Sequence, residues 1–254
     1  MTNGEKGDEI SDNTDVELQS SAAQRSPVRT VVCATASCIL LFAAANLTAA
    51  LVVGNLRFPI PPSFVTHTIL LICSLGLAAQ LSRGNLPSFG FTKGQFRFRP
   101  RLLLWALPTA AIATIQSVAS HSPSAPQQFG LRSPLAVVLL IWIYASVCEE
   151  VFMRGLYQSW LSVLAEYKIR VCRQTHLGVP VLLSALLFGG MHAILWPQIG
   201  SQALPIMLFA LILGIVAGHY REKTKSLAPA ILIHALFNIG GSLPTWILSL
   251  FFKP

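Results

Sequence analysis

Two adjacent carboxylates and an arginine interrupt an otherwise apolar stretch, Cys148-Glu149-Glu150-Val151-Phe152-Met153-Arg154. Each charge at the centre of a membrane-spanning helix costs about 2.5 to 3.5 kcal/mol on insertion scales, so such residues are seldom kept without a role. Four positions apart, Glu150 and Arg154 share a helix face and can pair, which neutralises one carboxylate. Glu149 points about 100° away around the helix and has no partner built into its own segment. Facing a protein-lined, partly hydrated cavity, it has what a general base or acid requires. A second apolar stretch holds Phe188-Gly189-Gly190-Met191-His192, and a third holds His234-Ala235-Leu236-Phe237-Asn238. His234 and Asn238, four apart, project from one helix face. Singly, an intramembrane histidine is usually a hydrogen bonder between helices. Together, two carboxylates, an arginine, two histidines and an asparagine on three apolar helices are the parts of a hydrolytic site.

Other candidates are weaker. His121 lies in a Ser/Pro-rich loop, His176 in a polar loop, His219 at a helix end beside basic residues, and His67 is a lone residue in a span without a partner motif. Cys148 precedes Glu149 directly, but successive helical positions do not face each other, and a buried cysteine behaves as a small hydrophobe. There is no H-E-x-x-H for a zincin and no G-x-S-x-G for an elbow-type serine hydrolase. The five cysteines form no C-x-x-C pair, which leaves neither a disulfide framework nor a zinc ribbon.

The elements that must carry these residues are apolar helices. Of 254 residues, 53% are hydrophobic and 11% charged, with a mean hydropathy of +0.61; that is too apolar for a water-soluble globule. A helix needs about 20 mostly apolar residues to cross the hydrocarbon core. Seven stretches qualify, running approximately Thr30 to Leu56, Pro62 to Ser82, Leu102 to Ser120, Pro134 to Ala165, Gly178 to Trp196, Gln202 to Tyr220 and Ser226 to Gly240. An eighth piece, Leu243 to Phe251, follows Gly240, Gly241 and Pro244, which are able to break the last span in two. The expectation is an all-α, polytopic membrane helix bundle of about seven to eight transmembrane helices.

Six of the ten acids precede Leu18, so 17 basic residues face only 4 acidic ones from Arg25 onward. The bases are scattered between apolar runs, which argues for membrane-flanking charges and against nucleic acid as a partner. Basic residues cluster after the second, fourth and sixth spans, and the positive-inside rule then puts those loops and the N-terminus in the cytoplasm. Three regions are expected: a disordered acidic cytoplasmic tail over 1–29, N-terminal transmembrane helices over 30–132, and a catalytic core over 133–254. Gly90 to Gly94, with Phe96, Phe98 and nearby arginines, is expected to be a loop at the membrane surface. Counting about 1.5 Å per residue from the cytoplasmic ends puts Glu149 about 25 Å deep, His192 about 21 Å and His234 about 13 Å. The two deeper residues agree; His234 needs tilt, a shifted boundary or a break near Pro229.

At these residues the sequence resembles the CPBP family of intramembrane proteases, which includes the type II CAAX prenyl endopeptidases and bacterial bacteriocin-processing and self-immunity proteins. The resemblance covers roughly Leu135 to Gly240: Glu149 to Arg154 matches E-E-x-x-x-R, Phe188 to His192 matches F-x-x-x-H, and His234 to Asn238 matches H-x-x-x-N. It implies a glutamate-dependent peptidase acting on a peptide or lipidated (CAAX-like) protein at a lipid membrane. Glu149, assisted by His192, would activate a water, and His234 with Asn238 would stabilise the oxyanion. Glu150 and Arg154 would orient the site, with Phe188 in support. No cofactor is then required. The alternative is zinc held by Glu149, Glu150, His192 and His234, which Arg154 nearby disfavours. Two other functions suit the same features: a non-catalytic immunity or scaffold protein of this fold, and a proton-coupled transporter using Glu149 and the histidines as a relay.

Overall fold

The computed structural model of the chain describes residues 26–56, 61–120, 133–173 and 175–251. The expectations for the acidic tail up to residue 25, for the loops carrying Arg57, His121 and Arg132, and for the last three residues lie outside the described residues. The described chain is mostly helical, with a loop over 90–99, short turns, and an antiparallel ribbon of β1 (Lys168–Cys172) and β2 (Thr175–Gly178). That ribbon departs from the all-α expectation in a stretch too polar to lie within a membrane.

Among the described residues the longer helices are α1 (Pro27–Leu56), α2 (Pro62–Leu81), α3 (Ala106–Ser120), α4 (Pro134–Leu164), α5 (Val179–Met191), α6 (Ala203–Thr224) and α7 (Ala228–Phe251). Helix α1 begins three residues earlier than the sequence suggested. Pro27 has no amide hydrogen to lose in a first turn, so nothing in the sequence opposes that start. Helix α7 continues through Pro244 to Phe251, so the break that Gly240, Gly241 and Pro244 could have made is absent. By length and composition, four stretches of the described residues can cross a membrane: Pro27–Gly54, Pro62–Leu81, Pro134–Leu164 and Val179–Thr224. The last contains both α5 and α6. The chain reverses between them near Gly200, whose backbone sits at φ 55°. Two apolar helical stretches are shorter: Pro100–Ile112, which leads from a 3-10 turn into α3, and Ala228–Pro244 in α7.

The polarity of the bundle is inverted relative to a soluble protein. Leu40, Leu47, Ile72, Leu104, Leu107, Ile115, Leu186 and Leu208 lie exposed, while Ser74, Ser146, Glu150, Arg154, Ser184 and His234 are buried. Outward aliphatic side chains cost nothing in hydrocarbon, and the interior gathers the groups that need hydrogen-bond partners. This is an integral membrane protein.

Small residues set the helix spacing. Helices α5 and α6 pack antiparallel, with Gly218 against Val181, Gly214 against Ala185 and Gly189 against Met207 and Leu211. A Cβ at Gly214 would fall 2.7 Å from the Ala185 Cα, so only glycine permits this approach. Helices α3 and α7 meet in the same way, with Gly240 against Ala106 and Thr109.

The segment from Leu86 to Phe96 closes one end of the bundle. It does more than lie on the surface, because it folds over the α6–α7 turn: Gln95 N–H donates to Thr224 O at 2.8 Å, Ser226 Oγ to Thr92 O at 2.5 Å, and Leu227 N–H to Gly90 O at 3.0 Å. Ser226 and Leu227 are consequently buried. The N-terminus of α7 is therefore sunk inside the protein, which explains why counting residues from Lys225 made His234 too shallow.

Candidate active site

Helix α4 is not a uniform α-helix. Val137–Ala145 and Val151–Tyr157 are π-helical, and the short α-helical stretch Ser146–Glu150 lies between them. Wider turns of this kind are rare and cluster at functional sites. Glu149 and Glu150 stand where the first widened segment has given way to α-helix and the second is about to begin.

Glu150 and Arg154 form the expected pair, Nη1 to Oε1 at 2.9 Å, with both side chains fully buried. The same Oε1 accepts from His234 Nδ1 at 2.8 Å. Arg154 also stacks its guanidinium 4.7 Å above the Phe188 ring, which compensates in part for Nε and Nη2, both buried without hydrogen-bond partners. Phe188 touches more of the site than its supporting role in the motif suggested. Its ring meets His192 edge-on at 4.9 Å and His234 at 5.7 Å, so one aromatic residue on α5 braces the arginine and both histidines.

Glu149 differs from its neighbour. Its side chain is 21% exposed where that of Glu150 is not exposed at all, so one of the two carboxylates is sealed inside the protein and the other is not. The first sequence-based assignment to fail concerns its partner. His67 on α2, set aside as a lone residue, places Nε2 2.8 Å from Glu149 Oε1, across 82 positions of sequence. No motif marks His67; the available signal was its place in an apolar span, where a histidine needs a partner. His234 Nε2 lies 3.7 Å from the other oxygen, Oε2.

Helix α7 faces α4 through an antiparallel polar ladder with rungs four residues apart on both helices. His234 bonds Glu150, Asn238 Nδ2 donates to Ser146 Oγ at 3.0 Å, and Ser242 Oγ accepts from Trp142 Nε1 at 2.7 Å. Ser146, Ser242 and Trp142 were missed in the sequence, although the four-residue spacing of 142, 146, 150 and 234, 238, 242 was there to be seen. The ladder changes the part open to Asn238. Its amide also donates to Ile141 O at 3.1 Å, inside the first π segment. With two donor bonds made, an amide has no hydrogen left for an oxyanion. As placed, Asn238 clips α7 to the widened turn of α4.

His192 caps α5 and is held by its Nδ1–H donating to Phe188 O at 2.8 Å, which leaves Nε2 as the open nitrogen. Among the described residues no hydrogen bond joins it to Glu149. Of the adjacent glycines, Gly189 is used against α6, while Gly190 has open space where a Cβ would be. Cys148 is fully buried.

Arg154 and His234 both occupy Glu150 Oε1, and His67 occupies Glu149 Oε1, so a zinc ion would have to be held through Glu149 Oε2, Glu150 Oε2, His192 Nε2 and His234 Nε2. Among the described residues no group of three or more histidine, cysteine or acidic side chains is arranged to hold a metal ion. The Arg154 guanidinium, hydrogen-bonded to Glu150, opposes a dication on that carboxylate.

Residues 131–240 match the family model described as Type II CAAX prenyl endopeptidase Rce1-like. No curated protein and no solved structure shows significant similarity to the chain.

Proposed function

From a chain whose matched segment belongs to the CPBP family, a family of proteases, we propose an intramembrane glutamic endopeptidase that hydrolyses a peptide bond of a membrane-associated or lipidated, CAAX-like protein. The observation that carries this reading is Glu149, a partly exposed carboxylate held among histidines of separate helices and backed by a buried Glu150–Arg154 pair.

In the proposed reaction Glu149 takes a proton from a water, and the resulting hydroxide attacks the carbonyl carbon of the scissile bond. A C–O bond forms as the carbonyl π electrons move onto oxygen. Collapse of this intermediate breaks the C–N bond, and the proton held by Glu149 passes to the departing amine. His192 assists through its open Nε2. The developing oxyanion is met by the Nε2–H of His234 in its imidazolium form, whose ring Glu150 orients through Nδ1. Asn238 acts by fixing α7 on α4, or as a direct donor after releasing one of its two present acceptors. No step uses a metal.

The proposed topology has seven helices crossing the lipid, with the N-terminus and the basic loops cytoplasmic. In this arrangement 30–132 supplies the N-terminal helices and 133–254 the catalytic core. Membrane lipid and a peptide or lipidated protein are the partners.

The test is hydrolysis of a fluorogenic prenylated peptide ending in the CAAX pattern by the purified chain, with and without chelator. Glu149→Ala and His192→Ala are each expected to abolish cleavage, Glu150→Gln to be milder, and chelator to have no effect. Wild-type proteolysis by Glu149→Ala would refute the mechanism. A phenotype surviving Glu149→Gln without any cleavage would favour an immunity or scaffold protein, and pH-driven flux in liposomes a transporter.

A further inference from the structure

The described chain ahead of the family-matched segment contributes one titratable side chain to the site, and its geometry is specific. His67 lies one helical turn beyond Ser63 near the start of α2, and its Nδ1 is 2.6 Å from the Ser63 carbonyl oxygen. A carbonyl oxygen only accepts, so Nδ1 carries a hydrogen and the orientation of the ring is fixed. With Nδ1 already donating, Nε2 bonds the Glu149 carboxylate Oε1, 2.8 Å away, by carrying the second hydrogen of an imidazolium, so the contact is an ion pair. The ring is mostly enclosed, with its side chain 16% exposed. Helix α2 is held against α4 at this level by a second clip, Thr68 Oγ1 to Tyr144 Oη at 2.7 Å, and by Phe64 stacked on the Tyr144 ring at 5.1 Å. The histidine therefore sits on a braced element, one turn from the helix start.

The two oxygens of Glu149 are thereby made unequal. Oε1 is engaged by His67, whereas Oε2 has no hydrogen-bond partner among the described residues; His234 Nε2 lies 3.7 Å from it, beyond hydrogen-bonding range. A carboxylate free to rotate about its last torsion would present either oxygen to a water, because that torsion is broad and nearly two-fold. A carboxylate clamped at one oxygen presents the other.

We propose that His67 is a positioning residue for Glu149: it fixes one carboxylate oxygen so that the other faces His234 of α7, and α2 thereby completes a site whose motifs all lie in later helices. The proposal rests on Glu149 being the base in the reaction above. The helices preceding the family-matched segment are on this account part of the catalytic assembly and not only a membrane anchor.

The experiment is steady-state hydrolysis of the same prenylated fluorogenic peptide by the full chain in detergent, comparing wild type, His67→Ala, His67→Gln and Glu149→Ala, with a thermal melt of each. Displacing a reacting group by about 1 Å costs about 100-fold, and loss of an orienting partner about 10- to 100-fold. His67→Ala is therefore expected to lower kcat about 10- to 100-fold with KM unchanged. His67→Gln, whose side-chain amide reaches a similar distance and still donates, is expected to recover most of that loss. Wild-type kcat in His67→Ala beside an inactive Glu149→Ala would overturn the positioning role and leave Glu149 as the base. A loss that His67→Gln does not restore, accompanied by a lowered Tm in both variants, would overturn it as well and make His67 a packing residue. Activity in Glu149→Ala would instead remove the reading on which the proposal stands.

Discussion

Replacing Arg154 by methionine isolates what the buried pair contributes. Methionine has comparable length and no charge, so the volume against Phe188 and Gly214 is largely kept while Glu150 loses its counterion. Both side chains are fully enclosed, and removing one member of a buried pair costs about 3 to 5 kcal/mol because the survivor is left uncompensated. Loss of the guanidinium above Phe188 adds about 1 to 2 kcal/mol. The single variant should therefore be at least 3 kcal/mol less stable than wild type. The double variant Glu150→Gln/Arg154→Met removes both charges and leaves an acceptor for His234 Nδ1, and it also relieves the two guanidinium nitrogens that lack hydrogen-bond partners. Its deficit should fall to about 2 kcal/mol, mostly the lost stacking. Reversible unfolding in mixed micelles, titrated with a denaturing detergent and followed by tryptophan fluorescence, measures both values. A single variant within about 1 kcal/mol of wild type, or a double variant no better than the single, would refute the view that Glu150 is a charge sealed from water and held by Arg154.

Two further expectations concern the frame around the site. Asn238→Ala removes the donor to Ile141 O and Ser146 Oγ; by the usual cost of unsatisfied buried groups it should lose about 1 to 3 kcal/mol in the same unfolding assay, and an unchanged stability would show that the α4–α7 ladder does not depend on it. Gly94 has φ 53° and directs its missing Cβ into the backbone of Thr224 and Lys225, so Gly94→Ala should lift the Leu86–Phe96 segment and quicken proteolytic nicking there. Wild-type resistance to the protease would mean that the segment is held by other contacts.

The chain's composition and local spacing determined much of this protein. Outward aliphatic faces follow from long apolar runs, and the Glu150–Arg154 pair follows from the helical period, since residues four apart on one helix meet whatever else the fold does. The co-occurrence of His234 and Asn238 on one face of α7 is fixed in the same way. Three motifs on separate spans carried the resemblance to a protease family, and the match of residues 131–240 to the Rce1-like model is in keeping with it.

Contacts between helices were decided elsewhere. The pairing of His67 with Glu149 depends on how α2 lies against α4, and no periodicity within either helix encodes it. The depth of His234 depends on a turn sunk beneath the Leu86–Phe96 segment, which a count of residues from a charged end cannot register. The engagement of Asn238 depends on a widened turn in α4 that offers Ile141 O to it. Spacing along a helix is set by backbone geometry that every sequence shares, whereas the meeting of two helices is settled by side-chain packing summed over the whole bundle. The sequence thus determined which polar groups had to leave the lipid, and the tertiary structure decided which of them became partners.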